Sequence, residues 1–334
     1  MLRTAEGTKQ NIEQHKTKNT SCKRGVFCYN QVMKRVGILR GGMGEYYQSS
    51  LQKGGEIISH IFENLGNKYK VFDILIDKGG VWHLGGVPII PADLIHKVDV
   101  VWDTTHPSSS TTLDNFSIPN VGVNSFSRIL GNSKEMLREH IKKIGVEMSR
   151  HIILPVYQKD FDGLWERYAI KKAKEVHEKF PGPWIVQSLT PDLGMGIHIA
   201  KTFNELVAAI EDGVKHEKSI LVEEFISGKV ASMHSISDFR GEDVYTFPFG
   251  NTFGNISLNE KEKLATLAKN LHNHIGATHY LKSDFILSPR GKVYLLQVEL
   301  TPDLKPDSHF SEVCDLVGAK THHVVEHILE RASN

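Results

Sequence analysis

The sequence predicts an α/β protein of three consecutive units, and three features point to it. Strands alternate with helical patterns over residues 33–125, as in an N-terminal parallel-sheet domain. Residues 126–218 hold two strands and two capped helices, a small α+β lid. Residues 219–334 hold further strands, a long helix and a polar-faced hairpin, a second α+β unit. The chain of 334 residues, 40% of them hydrophobic, is long enough for several cores.

Residues 1–32 are rich in Lys, Thr, Asn, Gln and Glu without an apolar period, and are expected to form a disordered extension. Met33 stands just before the first strand, Arg35–Leu39, so a natural start there is an expectation. Gly41-Gly42-Met43-Gly44 then leads into a helical pattern over 45–65. This turn lacks the full G-x-G-x-x-G spacing and a closing acidic residue. It reads as a tight strand-to-helix connection rather than a dinucleotide loop. Strands follow at 71–76, 98–102 and 120–123.

In the second unit, Asn132 with Glu135 forms a capping box for a helix to Ile144. A strand at 151–154, a charged amphipathic helix over 159–179 and a strand at 183–186 come next. Thr202 with Glu205 caps a helix to His216. The third unit opens with the strand 219–226, followed by strands near 231–239 and 243–249 and a helix over 259–274. The hairpin of 283–287 and 292–299 turns at Ser288-Pro289-Arg290-Gly291, and a helix over 311–332 closes the chain.

Lys plus Arg number 40 and Asp plus Glu 39, a formal net charge of +1, which gives no electrostatic case for nucleic acid or an anionic membrane as partner. Cys22, Cys28 and Cys314 are too few and too scattered for a disulfide framework or a zinc site, and suit a reducing, cytoplasmic setting. No apolar run is long enough to span a bilayer, and no secretory signal is recognisable at the N-terminus.

Chemistry concentrates in the hairpin. Alternation puts Gln297 and Glu299 on one face, and Asp284 on the partner strand can face them. Oxygen donors so placed suit Mg²⁺, which takes carboxylates together with phosphate oxygens. Spacing alone fits a solvated polar face better. His272 and His274 cannot share one helix face, so they make no metal pair.

Asp284-Phe285 and Tyr294-Leu295-Leu296-Gln297-Val298-Glu299-Leu300-Thr301-Pro302 together resemble the metal-binding end of the ATP-grasp ligases, and more narrowly the D-alanine–D-alanine ligases. That family's pattern is Arg-x-Asp-Phe followed by Glu-x-Asn-Thr-x-Pro-Gly. The likeness continues in Leu304–Ser308, in Leu221–Gly228, in Lys134 and in Val36–Glu56, and so covers nearly everything from Met33 onward.

It implies a three-domain ATP-grasp fold, with ATP and Mg²⁺ between the last two domains. It implies ligation of small carboxylate and amine substrates such as amino acids through an acyl phosphate, a place in cell-wall peptidoglycan synthesis, and a homodimer. Carried over residue by residue, Lys134 matches the first phosphate-contacting lysine. Glu223, Glu224, Phe225 and Ile226 match the adenine-binding hinge, and Leu296 the residue against the ring. Asp284, Gln297 and Glu299 match the metal-binding positions, and Lys282 an arginine that stabilises the transferring phosphate. Ser308 matches a substrate-carboxylate contact, Glu45 falls within a residue of the glutamate that holds the first substrate's ammonium, and His106 sits in the family's His-Gly loop.

Departures from the pattern open a second reading, a catalytically degenerate nucleotide-binding or interaction module. Gln187 replaces the second phosphate lysine. The Gly-Ser-Ser-x-Gly loop has become Asp192-Leu193-Gly194-Met195-Gly196, and Val230 stands at the ribose-binding acid. The Glu-x-Asn pair is Gln297-x-Glu299, and the tyrosine- and lysine-rich closing loop is absent between Phe247 and Leu258. Each lost charge-assisted contact to phosphate is worth on the order of 1.5–3 kcal/mol. Lys171, Lys172 and Lys201 are candidate replacements.

Overall fold

The computed structural model describes residues 33–44, 46–105, 109–121, 127, 130, 133–189, 194–250 and 255–333. The extension over 1–32, Glu45, His106, Asp192 and Leu193 lie outside the described residues.

Strand β1 (Lys34–Gly41) is the centre of the first sheet. Val36, Ile38 and Leu39 are all fully buried, the continuous apolar run of a strand covered on both faces. It pairs in parallel with β2 (Tyr69–Ile76) on one side and β5 (Val100–Asp103) on the other. A hairpin of β3 (Trp82–Leu84) and β4 (Val87–Ile89) extends the β2 edge, and β6 (Asn120–Val121) continues in parallel beyond β5. The β3–β4 hairpin escapes the sequence pattern because three residues are too few to display alternation.

Helix α1 (Tyr47–Leu65) follows the glycine turn. Gly41 has φ +91°, and a Cβ there would stand 2.1 Å from the Ile76 carbonyl oxygen. Its amide donates to Ser50 Oγ of α1 at 2.9 Å. The turn therefore fastens strand to helix. A short helix, α2 (Ser110–Asn115), precedes β6.

Helix α3 (Lys134–Ile141) is capped by Ser133, whose hydroxyl accepts from the Met136 amide, whereas the expected cap, Asn132, lies outside the described residues. Next come β7 (Glu147–Met148) and β8 (His151–Leu154). The helix expected over 159–179 is two, α4 (Lys159–Asp162) and α5 (Trp165–Lys179), parted by Gly163 at φ +75°. Strands β9 (Trp184–Ser188) and β10 (His198–Ala200) lead to α6 (Phe203–Lys215), with the Thr202–Glu205 capping box formed in both directions.

Strand β11 (Ile220–Glu224), expected to open the third unit, lies instead inside the second sheet, ordered β10-β9-β11-β8. Ile220 and Val222 explain this, since they join Leu154, Trp184, Val186, Ala173 and Ile210 in the core under α5 and α6.

The third sheet is ordered β13-β12-β14-β15-β7, with β12 (Lys229–Phe239), β13 (Glu242–Thr246), β14 (Tyr280–Leu287) and β15 (Val293–Glu299). Helix α7 (Leu258–Ile275) covers one face, packing Leu264, Ala268 and Leu271 on Ala231, Met233, Leu281, Phe285 and Leu295. The expected closing helix is α8 (His309–Leu316) and α9 (Thr321–Ala332), parted by Gly318 at φ +66°. Phe310, Val313, Val324 and Ile328 pack them on Ile57 and Ile61 of α1. Among the described residues no helix is long and apolar enough to cross a membrane.

His272 of α7 is 1% exposed, with its ring nitrogens 2.9 Å from Ser235 Oγ and 2.8 Å from Ser237 Oγ on β12. It pins helix to sheet, and burial pushes its pKa down to about 4. A group depressed on folding takes its proton more readily when unfolded. Its contribution is therefore complete above about pH 6.5 and is lost as pH falls toward 4, amounting to a loss of about 2 kcal/mol at pH 5. Urea unfolding at pH 5–7 should show this slope, and His272→Asn should flatten it.

Candidate active site

The β14–β15 register builds one cluster. Lys282 lies opposite Glu299 and Asp284 opposite Gln297, and a bulge then lets Phe285 pair with Leu295, leaving Leu296 as the extra residue. On the other side of β14, Ser232 faces Asp284 and His234 faces Lys282. Because side chains alternate, these six polar residues share the sheet face away from α7. The apolar residues beneath them on the other face hold the strands rigid.

Within the cluster, Lys282 Nζ lies 3.2 Å from Asp284 Oδ2 and 3.0 Å from Glu299 Oε1. Gln297 Nε2 donates to Asp284 Oδ2 at 2.9 Å and to Glu299 Oε1 at 3.4 Å. The Ser232 hydroxyl donates to Asp284 Oδ1. Burial opposes the Lys282 charge, but Glu299 and Asp284 outweigh it and hold the ammonium pKa above its ordinary value.

Behind Lys282 runs a buried chain. His234 Nδ1 lies 2.7 Å from Tyr280 Oη, and His234 Nε2 lies 2.8 Å from Nδ1 of His309, the first residue of α8. Burial, then the neighbouring His309 and Lys282, push the His234 pKa well down, so this ring is neutral. Sequence reasoning missed Ser232 and His234. Their signal was polar residues two apart in an otherwise buried strand.

A second cluster centres on Glu223, 6% exposed on β11. Lys134 Nζ lies 2.8 Å and 2.9 Å from its two carboxylate oxygens, Gln187 Nε2 donates to Oε2 at 3.2 Å, and Ser149 Oγ donates to Oε1 at 3.3 Å. Lys134 and Gln187, candidate phosphate contacts, are thus gathered by the same carboxylate. Arg150 grips Glu224 with two bonds of 2.9 Å and 2.8 Å. The Glu224 and Phe225 amides donate to the Arg150 and Pro183 carbonyls at 2.8 Å and 3.0 Å. These two hinge amides are thus already bonded to backbone carbonyls. Ile226 follows beyond the end of β11.

The clusters are joined through the backbone. Strand β7 pairs with β15 at Leu295, while Ser149 and Arg150, the two residues after β7, bind Glu223 and Glu224 before β8 enters the lid sheet. Residues 225–228 make the second crossing, from β11 to β12.

The remaining candidates lie outside these two hydrogen-bonded groups. Ser308 caps α8, accepting from the Ser311 amide at 3.2 Å and donating its single proton to the Asp303 carbonyl at 2.9 Å. Both bonds hold its hydroxyl at the start of α8. Leu296 is half-buried at the bulge. Lys172 pairs with Glu175 at 2.8 Å. A pocket of about 140 Å³ opens beside Glu299, between the loop of 301–305 and α1, lined also by Ser49, Gln52, Lys53, Glu56 and Lys305.

Among the described residues no group of three His, Cys, Asp or Glu is arranged to hold a metal. The hairpin set of two carboxylates and one amide fits an ion that completes its shell with phosphate and water, as Mg²⁺ does.

No family model matches the chain. A D-alanine–D-alanine ligase of Flavobacterium psychrophilum is 21% identical over 310 residues, which cover 83% of this chain and 90% of that protein. Two solved structures superpose on 90% of the chain. They are a D-alanyl-alanine synthetase A of Vibrio cholerae (TM-score 0.68, 16% identity, 98% of that chain) and a Bacillus anthracis D-alanine–D-alanine ligase complexed with ATP (TM-score 0.62, 17% identity, 97% of that chain). The three sheets and their connections thus define a three-domain ATP-grasp fold. Within that class the chain is similar to the D-alanine–D-alanine ligases, at about one residue in five.

Removing one partner of the Glu223 group leaves the other charge stranded. Glu223→Gln should cost about 2–3 kcal/mol in urea unfolding, and adding Lys134→Met should restore part of it.

Proposed function

We propose that this chain is an ATP-dependent carboxylate–amine ligase acting on small substrates of the amino-acid class. The observation that carries the reading is the convergence of Lys282, Asp284, Gln297 and Glu299 on one sheet face, in a fold shared with ligases.

In the proposed reaction an oxygen of the substrate carboxylate attacks the γ-phosphorus of ATP, and the bond to the ADP oxygen breaks. The acyl phosphate so formed is attacked at its carbonyl carbon by the amine. Phosphate leaves and the amine loses a proton, so one hard step becomes two easier ones. Asp284, Glu299 and the Gln297 amide oxygen would hold Mg²⁺, which supplies neutralisation of charge on the phosphoryl oxygens. Lys282 supplies a second positive charge as a point donor, without the fork of an arginine. Lys134, drawn toward phosphate from Glu223, supplies a third. The pocket beside Glu299 offers both charges, Lys53 and Lys305 against Glu56 and Asp303, which suits a zwitterion. Assembly as a homodimer and a cytoplasmic location belong to the same proposal.

Gln187 favours a second reading, a binding module without turnover, because its amide is already given to Glu223 and brings no charge. Calorimetry with ATP, with and without Mg²⁺, followed by phosphate-release assays over D- and L-amino acids, separates the two. The ligase reading expects Mg²⁺-dependent binding and turnover, with Asp284→Asn lowering turnover about 100-fold or more. Binding without turnover on any substrate selects the module, and no binding removes the ATP assignment.

A further inference from the structure

We infer that Lys282 is an internal cation that keeps the Asp284–Glu299 pair closed to a divalent metal until phosphate draws its ammonium away. The inference rests on the ligase reading only in taking Asp284, Gln297 and Glu299 as the metal-binding group.

The hydrogen bonds of the cluster carry it. Asp284 Oδ2 receives both Lys282 Nζ at 3.2 Å and Gln297 Nε2 at 2.9 Å, and Oδ1 receives the Ser232 hydroxyl. Glu299 Oε1 receives Lys282 Nζ at 3.0 Å. The ammonium therefore bridges the two carboxylates that would hold a divalent ion. An ion entering that space meets a like charge at short range in a partly dry setting, since the Lys282 side chain is only 22% exposed.

Gln297 is set against the ion as well. Its amide nitrogen faces Asp284, whereas a metal needs its oxygen, and an oxygen at 2.9 Å from a carboxylate oxygen is repelled unless a cation lies between. Both obstacles are reversible. Lysine is a point charge on a flexible four-carbon stem, and a terminal amide turns about one bond. Nucleotide phosphate competes for the Lys282 ammonium, and its departure leaves two carboxylates that now repel each other and attract the ion. Loading is thus coupled. Metal alone binds weakly, metal-free nucleotide is held in part by Lys282, and the two together bind best.

Two titrations on the full chain test this, with thermal melting to confirm that each variant is folded. Mn²⁺ binding without nucleotide, followed by the paramagnetic resonance of the free ion, should be about tenfold or more tighter in Lys282→Gln than in the wild type, and Lys282→Gln/Asp284→Asn should lose the gain. Lys305→Gln removes an equal charge from the pocket beside Glu299 without opening the bridge, and should change Mn²⁺ binding less than about twofold. Metal-free ATP, titrated by calorimetry in the presence of chelator, should bind Lys282→Gln about tenfold more weakly than the wild type. Equal Mn²⁺ affinity in the wild type and Lys282→Gln, or a Lys305→Gln gain as large as that of Lys282→Gln, overturns the inference. So does unchanged ATP binding. Mg²⁺-dependent turnover by the wild type would leave the ligase reading standing in each of those cases.

Discussion

The pairing register of β14 and β15 is the constraint on which the candidate centre depends. With Lys282 opposite Glu299 and Asp284 opposite Gln297, four polar side chains fall on one face. A slip by one residue would turn all of them into the α7 core and bring Val298 and Phe285 out. The slip is prevented by packing, because Phe285 and Leu295 are fully buried against α7. Pairing shifts by one at Leu296, between the polar end of the hairpin and its apolar end. The bulge lets the core-facing positions change parity along β15: Val293 and Leu295 point into the core before it, and Val298 does so after it.

Glu223 plays the matching part at the other sheet. Lys134 from α3, Ser149 from the first crossing between sheets and Gln187 from β9 all converge on its carboxylate. A charge this buried is tolerable only when its oxygens are satisfied, and here they are. The same group therefore ties α3, the β7–β8 crossing and the lid sheet together. Lysine in place of Gln187 would put two ammonium groups on one buried carboxylate. With Gln187, a single full charge balances Glu223, and the amide fills the remaining acceptor position without adding another.

Much of this was legible in the sequence because it obeys short-range rules. The Thr202–Glu205 box, the Ser288–Gly291 turn and the two-residue alternation of Gln297 and Glu299 are local patterns, and the structure reproduces each. What was not legible depends on distant partners. Ile220–Glu224 looks like the start of a unit, yet its buried residues belong to a core assembled from Leu154, Trp184 and Ile210. The breaks at Gly163 and Gly318 were hidden within otherwise helical periods. Ser308 matched a motif position, but only the fold reveals that its hydroxyl already closes α8. The bond from Lys134 to Glu223 crosses 89 residues of sequence, and no periodicity announces it.

The substitutions at the two clusters make physical sense together. Where the pattern this hairpin resembles has Glu-x-Asn, this chain has Gln297-x-Glu299, so the carboxylate stands opposite Lys282 and the amide opposite Asp284. Two carboxylates directly opposite each other on paired strands repel; a carboxylate opposite a lysine attracts, and the amide opposite Asp284 donates to it. The arrangement pairs the hairpin's charges internally and keeps two carboxylates on it. At the lid, glutamine for lysine removes one positive charge that would otherwise have no second acid to meet. Both leave the protein's charges better paired within itself, and under the proposed function both raise what a nucleotide must break on entering. On the proposed function, binding depends on whether phosphate offers Lys134 and Lys282 more than Glu223, Asp284 and Glu299 already do, with a metal ion taking over the carboxylates that Lys282 leaves.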